Sequence, residues 1–174
     1  MIKKLASRIV YENKWMKVRE DTTELADGSR GIYSVVQKPD FALIIPRADN
    51  HFFLVHQYRY PVQDSFWEFP QGAYEENPEI EPVELALQEL QEETGLIARK
   101  MTHLGYLYEA YGFSSQGFHV FLAEDFTQGK QQLEKGEQGL QVQKFSVKDF
   151  EKMIQNGEIK DAPTVSAYAL LKLG

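Results

Sequence analysis

Residues 72–96 read GAYEENPEIEPVELALQELQEETGL, and this stretch constrains the chain more than any other. It holds eight glutamates (Glu75, Glu76, Glu79, Glu81, Glu84, Glu89, Glu92 and Glu93) and neither lysine nor arginine. Its second half reads as a helix. Pro82 suits a first helical turn, and Gly95 suits a C-terminal cap. Val83, Ala86, Leu87, Leu90 and Thr94 recur at helical spacing and predict one buried stripe. Glu89 and Glu93 lie one turn apart beside that stripe, with Glu92 close by. Like charges so spaced destabilise a helix by roughly 0.2–0.5 kcal/mol per pair. No cation on the segment offsets them. A hard divalent cation would, since Mg²⁺ prefers oxygen ligands and binds through a few carboxylates plus phosphate oxygens. The plain alternative is a solvated acidic face. Two features count against it. The acids border the apolar stripe, which turns them toward a cleft. They also end at Gly95, where the chain is free to turn sharply.

Composition sets wider bounds. The 174 residues suit one domain, and 43% apolar content supplies a sizeable core. A net charge of −7 argues against non-specific binding to nucleic acid or to an anionic membrane. With no cysteine there is no disulfide scaffold and no thiolate zinc site. The four histidines show no zinc-like spacing, and His56 and His119, inside strand patterns, read as structural. The basic N-terminal residues precede no long apolar run, so a soluble cytoplasmic protein is the expectation.

Along the chain, Leu5–Tyr11, Trp15–Leu25 and Ile32–Lys38 read as antiparallel strands, with a hairpin turn at Ala26-Asp27-Gly28-Ser29. Residues 1–38 thus form an N-terminal sheet ahead of a core over 39–174. Phe41–Pro46 has the continuous apolar run of a strand buried on both faces. His51–Tyr60 follows as its partner, and Ser65–Gly72 as a short strand leading into the acidic stretch. Met101–Ala110 and Gln116–Glu124 alternate as strands around a turn at residues 111–115. Residues 125–139 read as a polar loop. Leu140–Phe145 is a last strand. Ser146 caps a helix over Val147–Asn156, closed by Gly157. Asp161-Ala162-Pro163 opens a final helix, with Val165, Tyr168, Ala169 and Leu171–Leu173 as its apolar material. The class is α/β, with a mixed sheet and one central and two C-terminal helices.

Gly72 and Glu89-Leu90-Gln91-Glu92-Glu93-Thr94-Gly95-Leu96 resemble the Nudix box, G-x5-E-x7-R-E-U-x-E-E-x-G-U, where U is a bulky aliphatic residue. Gln88 stands at the arginine of that pattern, Ile80 at its first glutamate, and the spacing from Gly72 is two residues longer. Gln57-Tyr58-Arg59 with Trp67-Glu68-Phe69-Pro70-Gln71-Gly72 is similar to the QYR…WE-x-P-x-G pattern of family members that cleave ADP-ribose and other nucleoside diphosphate sugars. Residues 111–123 resemble their PGFS-x-E-x-x-H-x-F-L-A segment, with Tyr111 for the proline and Gln116 for the glutamate. The resemblance implies the Nudix α/β/α sandwich. It also implies that the N-terminal sheet is a dimer arm, although an added layer on the core is an equal reading.

Hydrolysis of a phosphoanhydride needs phosphate charge neutralised, water activated and the leaving group oriented, and metal ions supply much of this. The resemblance implies Glu89, Glu92 and Glu93, with the Gln71 backbone carbonyl, as ligands of Mg²⁺ or Mn²⁺. It also implies a general base from the late loop, either Glu134 or Glu137. Arg59 suits a phosphate contact because guanidinium binds such oxygens bidentately; a surface ion pair is its plain alternative. Glu68, Phe113, Ser114 and Gln116 are further candidates for substrate contact. Tyr58, Tyr60, Trp67 or Tyr111 can stack on a base, and aromatic side chains at strand spacing also serve as core. The expected activity is metal-dependent hydrolysis of a nucleoside diphosphate derivative by a homodimer. ADP-ribose or a nucleotide sugar comes first, with NADH and dinucleoside polyphosphates as alternatives. The second reading is a weakened Nudix domain that binds a nucleotide as a sensor or regulator.

Overall fold

Strand and helix signals in this chain sort into two regions of different character, seen in the computed structural model, which describes residues 1–73, 80–133 and 137–174. One unit comprises Met1–Asp40 with Tyr108–Gly117, the other Phe41–Leu107 with Phe118–Gly174.

The first unit is built on three antiparallel strands in the order β1 (Lys3–Glu12), β2 (Lys17–Glu24) and β3 (Arg30–Gln37). The β2–β3 turn uses the Asp-Gly signal. Gly28 takes φ 86°, and Asp27 Oδ1 accepts from the Ser29 N–H at 3.0 Å. Every residue of β1 is exposed, including Leu5, Ile9, Val10 and Tyr11. Residues 113–115 pair with β3. The Val36 N–H donates to the Phe113 carbonyl at 2.8 Å, and the Ser115 N–H to the Val36 carbonyl at 3.0 Å.

The second unit contains β4 (Phe41–Ala48), β5 (His51–Arg59), β6 (Asp64–Glu68), β7 (Gln71–Gly72), α1 (Pro82–Thr94), β8 (Leu96–Tyr108), β9 (Gly117–Gln128), β10 (Gln141–Ser146), α2 (Val147–Asn156) and α3 (Ala162–Leu173). Among the described residues the main sheet runs β10-β5-β4-β9-β8, with β6 on β5 and β7 on β4. It is mixed, because β4 pairs parallel with β9 and antiparallel with β5 and β7. The apolar run of β4 explains the layering. Phe41, Leu43 and Ile45 pack in one cluster with α2 and α3 residues such as Phe150, Met153 and Ala167. Ala42 and Ile44 pack on the opposite face with Leu85, Ala86 and Leu90 of α1. A strand with helices on both faces has no polar side, which is why its sequence does not alternate.

The helix ends follow from local chemistry. Gly95 closes α1 at φ 71°, and its N–H donates to the Gln91 carbonyl. Ser146 Oγ accepts the Asp149 N–H at 3.1 Å, and Gly157 ends α2 at φ 74°.

Several elements differ from the sequence expectation. In α1 the buried residues are Leu85, Ala86, Leu90, Glu93 and Thr94, while Val83 and Leu87 are 38% and 37% exposed. The helix is rolled so that Glu93 meets β7, and that roll turns Val83 and Leu87 outward. Residues 65–72 form two strands, because Phe69 and Pro70 leave the β5 ladder before β7 joins β4. Strand β9 runs on to Gln128, through Asp125 at φ 55°, into the stretch expected to be loop. In α3 the buried positions are Pro163, Thr164 and Ala167, and Leu173 is exposed.

Candidate active site

The site is built where α1 lies along β7. Glu93 is 1% exposed, and its Oε2 accepts the Gln71 backbone N–H at 3.0 Å. Burial pushes its carboxyl well above the ordinary carboxylate value, and the charges of Glu89, Glu137 and Glu68 add to that. The Gln71 N–H works in the opposite direction. Glu89 is half-buried one turn back. A Cβ on Gly72 would fall 2.2 Å from the Glu89 Cδ and 2.3 Å from both its oxygens. Glycine is therefore required at 72 for the Glu89 carboxylate to rest on the β7 backbone. Two carboxylates one turn apart thus converge on the Gln71–Gly72 backbone, and Glu92 beside them is half-buried.

Arg59 and Glu68 pair across β5 and β6. The guanidinium bonds both carboxylate oxygens of Glu68, with Nε to Oε2 at 3.2 Å, and Gln57 Nε2 donates to Oε1 at 2.6 Å. Glu68 is 2% exposed, whereas the Arg59 side chain is 41% exposed. Burial raises the Glu68 carboxyl, and Arg59 partly offsets the rise. The positive charge of Arg59 also acts on Glu93. Arg59 is thus held by a buried acid, and its side chain as a whole is partly exposed.

The segment that follows β9 bonds to the C-terminal end of α1. The Gly129 N–H donates to the Gly95 carbonyl at 2.7 Å and the Gln132 N–H to the Glu92 carbonyl at 2.9 Å. Gln131 Nε2 donates to the Glu93 carbonyl at 2.6 Å. These bonds occupy carbonyls at the helix C-terminus that have no intrahelical partner. The charge of Glu137 also bears on Glu93. Glu134, like Glu75, Glu76 and Glu79, lies outside the described residues.

Not every predicted residue belongs to this cluster. Phe113, Ser114 and Gln116 belong to the first unit. There Phe113 is exposed, Ser114 is buried beside Val36, and Gln116 Nε2 donates to the Pro39 carbonyl at 2.6 Å. Trp67 packs on Phe145 and His56 at the edge of the core, while Tyr58, Tyr60 and Tyr111 are exposed. Gln88 is exposed, and Ile80 packs on the α1 cluster. Sequence reasoning missed the ties of Gln131, Gln132, Asp161 and Thr164. Those of Gln131, Asp161 and Thr164 span 38, 90 and 95 residues, and no local pattern marks them.

The donor set is oxygen only. Among the described residues no three Asp, Glu, His or Cys side chains are gathered closely enough to enclose an ion. Mg²⁺ does not need such a cage, because it retains several waters and takes one or two carboxylates plus phosphate oxygens. Paired carboxylates, one of them buried, on a glycine-floored strand fit that demand.

Residues 36–168 match the model of the NUDIX domain, and residues 2–36 match that of the nucleoside diphosphate sugar hydrolase N-terminal domain. The chain belongs to the Nudix family. It is 30% identical to an ADP-ribose pyrophosphatase of Bacillus subtilis (strain 168), over 98% of this chain and 92% of that one. It is 26% identical to a methanol dehydrogenase activator of Bacillus methanolicus, with the same two coverages of 98% and 92%. A solved structure described as an ADP compounds hydrolase superposes with a TM-score of 0.87 at 22% identity, covering 98% of this chain and 92% of its own, and supports the fold. Nudix hydrolases generally use divalent metals. No helix among the described residues is long and apolar enough to cross a membrane.

Proposed function

We propose that the protein hydrolyses the pyrophosphate bond of a nucleoside diphosphate derivative, with ADP-ribose as the first substrate to test and Mg²⁺ or Mn²⁺ as cofactor. One observation carries the reading: Glu93, buried and crowded by other acids, is held by the Gln71 N–H on the same strand backbone that receives Glu89. Such a group is costly to keep ionised, so it either holds its proton or gains a cation beside it, and a divalent ion with its phosphate ligand supplies that cation.

A divalent ion held by Glu89, Glu92 and Glu93, with the Gln71 carbonyl, would neutralise phosphate charge and make bound water more acidic. The chain's own groups do the rest. The Gln71 N–H fixes the orientation of Glu93. Gly72 lets Glu89 approach the backbone. Arg59, steadied by Glu68, offers its guanidinium to a phosphate oxygen, and Gln57 completes the Glu68 carboxylate. Glu137 takes the proton from the attacking water; Glu134 is the alternative base. Water oxygen bonds to one phosphorus, the bridging P–O bond breaks, and two phosphate monoesters leave.

A second copy of the chain is the proposed partner. The exposed apolar residues of β1 support this, because an open strand edge with apolar side chains is a ready pairing surface. The alternative reading, a nucleotide-binding regulator, is favoured by the relative named as an enzyme activator and by Gln88 at the arginine position.

The test is a panel of ADP-ribose, nucleotide sugars, NADH and dinucleoside polyphosphates with Mg²⁺ or Mn²⁺, with products resolved by chromatography. Release of AMP and ribose 5-phosphate from ADP-ribose supports hydrolysis. Saturable binding across the panel without any product supports the regulator.

A further inference from the structure

We infer that the start of α3, through Thr164 and Asp161, positions the Phe69–Gly72 segment and thereby Glu93. The inference rests on the reading of the site proposed above and deepens it.

The segment is short and bears the whole geometry. β6 ends at Glu68, and β7 is only Gln71–Gly72. Between them the chain has left one ladder and has barely joined the next, so it needs other anchors. The Phe69 N–H donates to Thr164 Oγ1 at 2.9 Å, and both residues are fully buried. The Phe69 ring stacks on Phe150 with centroids 5.1 Å apart. Pro70 has no N–H, and its carbonyl accepts the Ile44 N–H at 2.9 Å. With those points fixed, the Gln71 N–H is aimed at Glu93 Oε2. The Gln71 side chain is tied as well, since Nε2 donates to Asp161 Oδ2 at 3.2 Å. The same Asp161 oxygen accepts the Thr164 N–H at 2.8 Å and so caps α3. Asp161 therefore does two things at once: it closes the helix start and holds Gln71. Thr164 and Asp161 touch neither Glu89 nor Glu93 in any of these bonds, so they act through the segment as positioning residues.

Thr164 separates packing from hydrogen bonding within one side chain. Its methyl group fills space in a fully buried position, and its hydroxyl accepts the Phe69 N–H. Thr164→Val keeps shape and volume but strands a buried N–H, which the segment relieves by shifting. Thr164→Ser keeps the acceptor and loses the methyl group. The two variants lower thermal stability for different reasons, and only valine disturbs Gln71.

The experiment measures Mn²⁺ binding to the whole chain by the electron paramagnetic resonance of the free ion, beside Tm and the kcat and KM for ADP-ribose. Outer partners of metal ligands commonly contribute about 10–100-fold in affinity. Thr164→Val is expected to weaken Mn²⁺ binding about tenfold or more and to lower kcat with little change in KM. Thr164→Ser is expected to stay within about threefold of native affinity, despite its lower Tm. Asp161→Ala follows valine, and it carries the test if Thr164→Val does not fold. Native Mn²⁺ affinity in both Thr164→Val and Asp161→Ala overturns the inference. So does a loss of affinity that follows Tm through serine and valine alike. Glu93→Gln separates this from failure of the site itself. If Glu93→Gln binds Mn²⁺ as the native chain does, the proposed function fails and takes the inference with it. If Glu93→Gln loses binding while Thr164→Val and Asp161→Ala both keep it, only the inference fails.

Discussion

Glu93→Gln is expected to stabilise the metal-free protein while it removes hydrolysis. Glu93 is 1% exposed, and burial and neighbouring acids raise its carboxyl well above the ordinary carboxylate value. In the unfolded chain the same group titrates normally. Between those two values the folded state binds more protons than the unfolded state, so stability falls as pH rises. The contribution is fully present below the unfolded pKa and is lost as pH rises to the folded pKa. Each unit between the two costs about 1.4 kcal/mol. For a chain of this size, 1 kcal/mol moves Tm by about 2–4 °C, so one unit corresponds to roughly 3–6 °C. Glutamine has the same shape, carries no charge, and retains an oxygen for the Gln71 N–H. Thermal melts of both proteins with chelator, at several pH values from 4.5 to 8, test this. The Tm advantage of Glu93→Gln is expected to be small at pH 4.5 and to widen with rising pH. An advantage that shrinks or reverses as pH rises would show that the folded, metal-free protein welcomes the charged carboxylate, contrary to the argument.

Other perturbations follow from the same geometry. Gly72→Ala puts a methyl group on the Glu89 carboxylate, the free end of a flexible side chain, so Glu89 gives way while the fold survives. Activity is expected to fall about 100-fold, as misplacement at a reacting centre does, with a Tm change of only a few degrees (about 4 °C or less); native activity would refute it. Arg59→Ala leaves Glu68 buried without its ion pair. Breaking a fully buried pair costs about 3–5 kcal/mol, and the exposure of Arg59 lowers the expected loss to about 2–3 kcal/mol in urea melts. Glu68→Gln in the same chain is expected to restore part of it. Gln88→Arg places a cation one turn from both Glu84 and Glu92 on an exposed face, and it is expected to raise the rate of hydrolysis. An unchanged rate with every nucleotide would assign that position no part in ordering the acids.

Local chemistry reads well from this sequence, and distant partners do not. Pro82 and Gly95 bounded α1, and Ser146 and Gly157 bounded α2, because caps are decided within a few residues. The unbroken run Phe41–Pro46 announced a strand covered on both faces. The roll of α1 is not legible in the sequence, because apolar spacing alone places Val83 and Leu87 inside. Burying a glutamate pays only when a strand N–H elsewhere in the chain meets it, and periodicity carries no record of that. The polar residues 125–128 read as loop, whereas β9 extends through them to Gln128. The ties from Thr164 to Phe69 and from Gln131 to Glu93 span 95 and 38 residues, and nothing nearby in the sequence signals either one.

The most direct measurement is the rate of ADP-ribose cleavage by the native chain, by Glu89→Gln and by Glu93→Gln, each with and without Mg²⁺. AMP and ribose 5-phosphate are expected from the native chain only when the metal is present, and almost none from either variant. Cleavage at the native rate by Glu93→Gln, or by the native chain in chelator, would place the chemistry away from the carboxylates that α1 presses against Gln71 and Gly72.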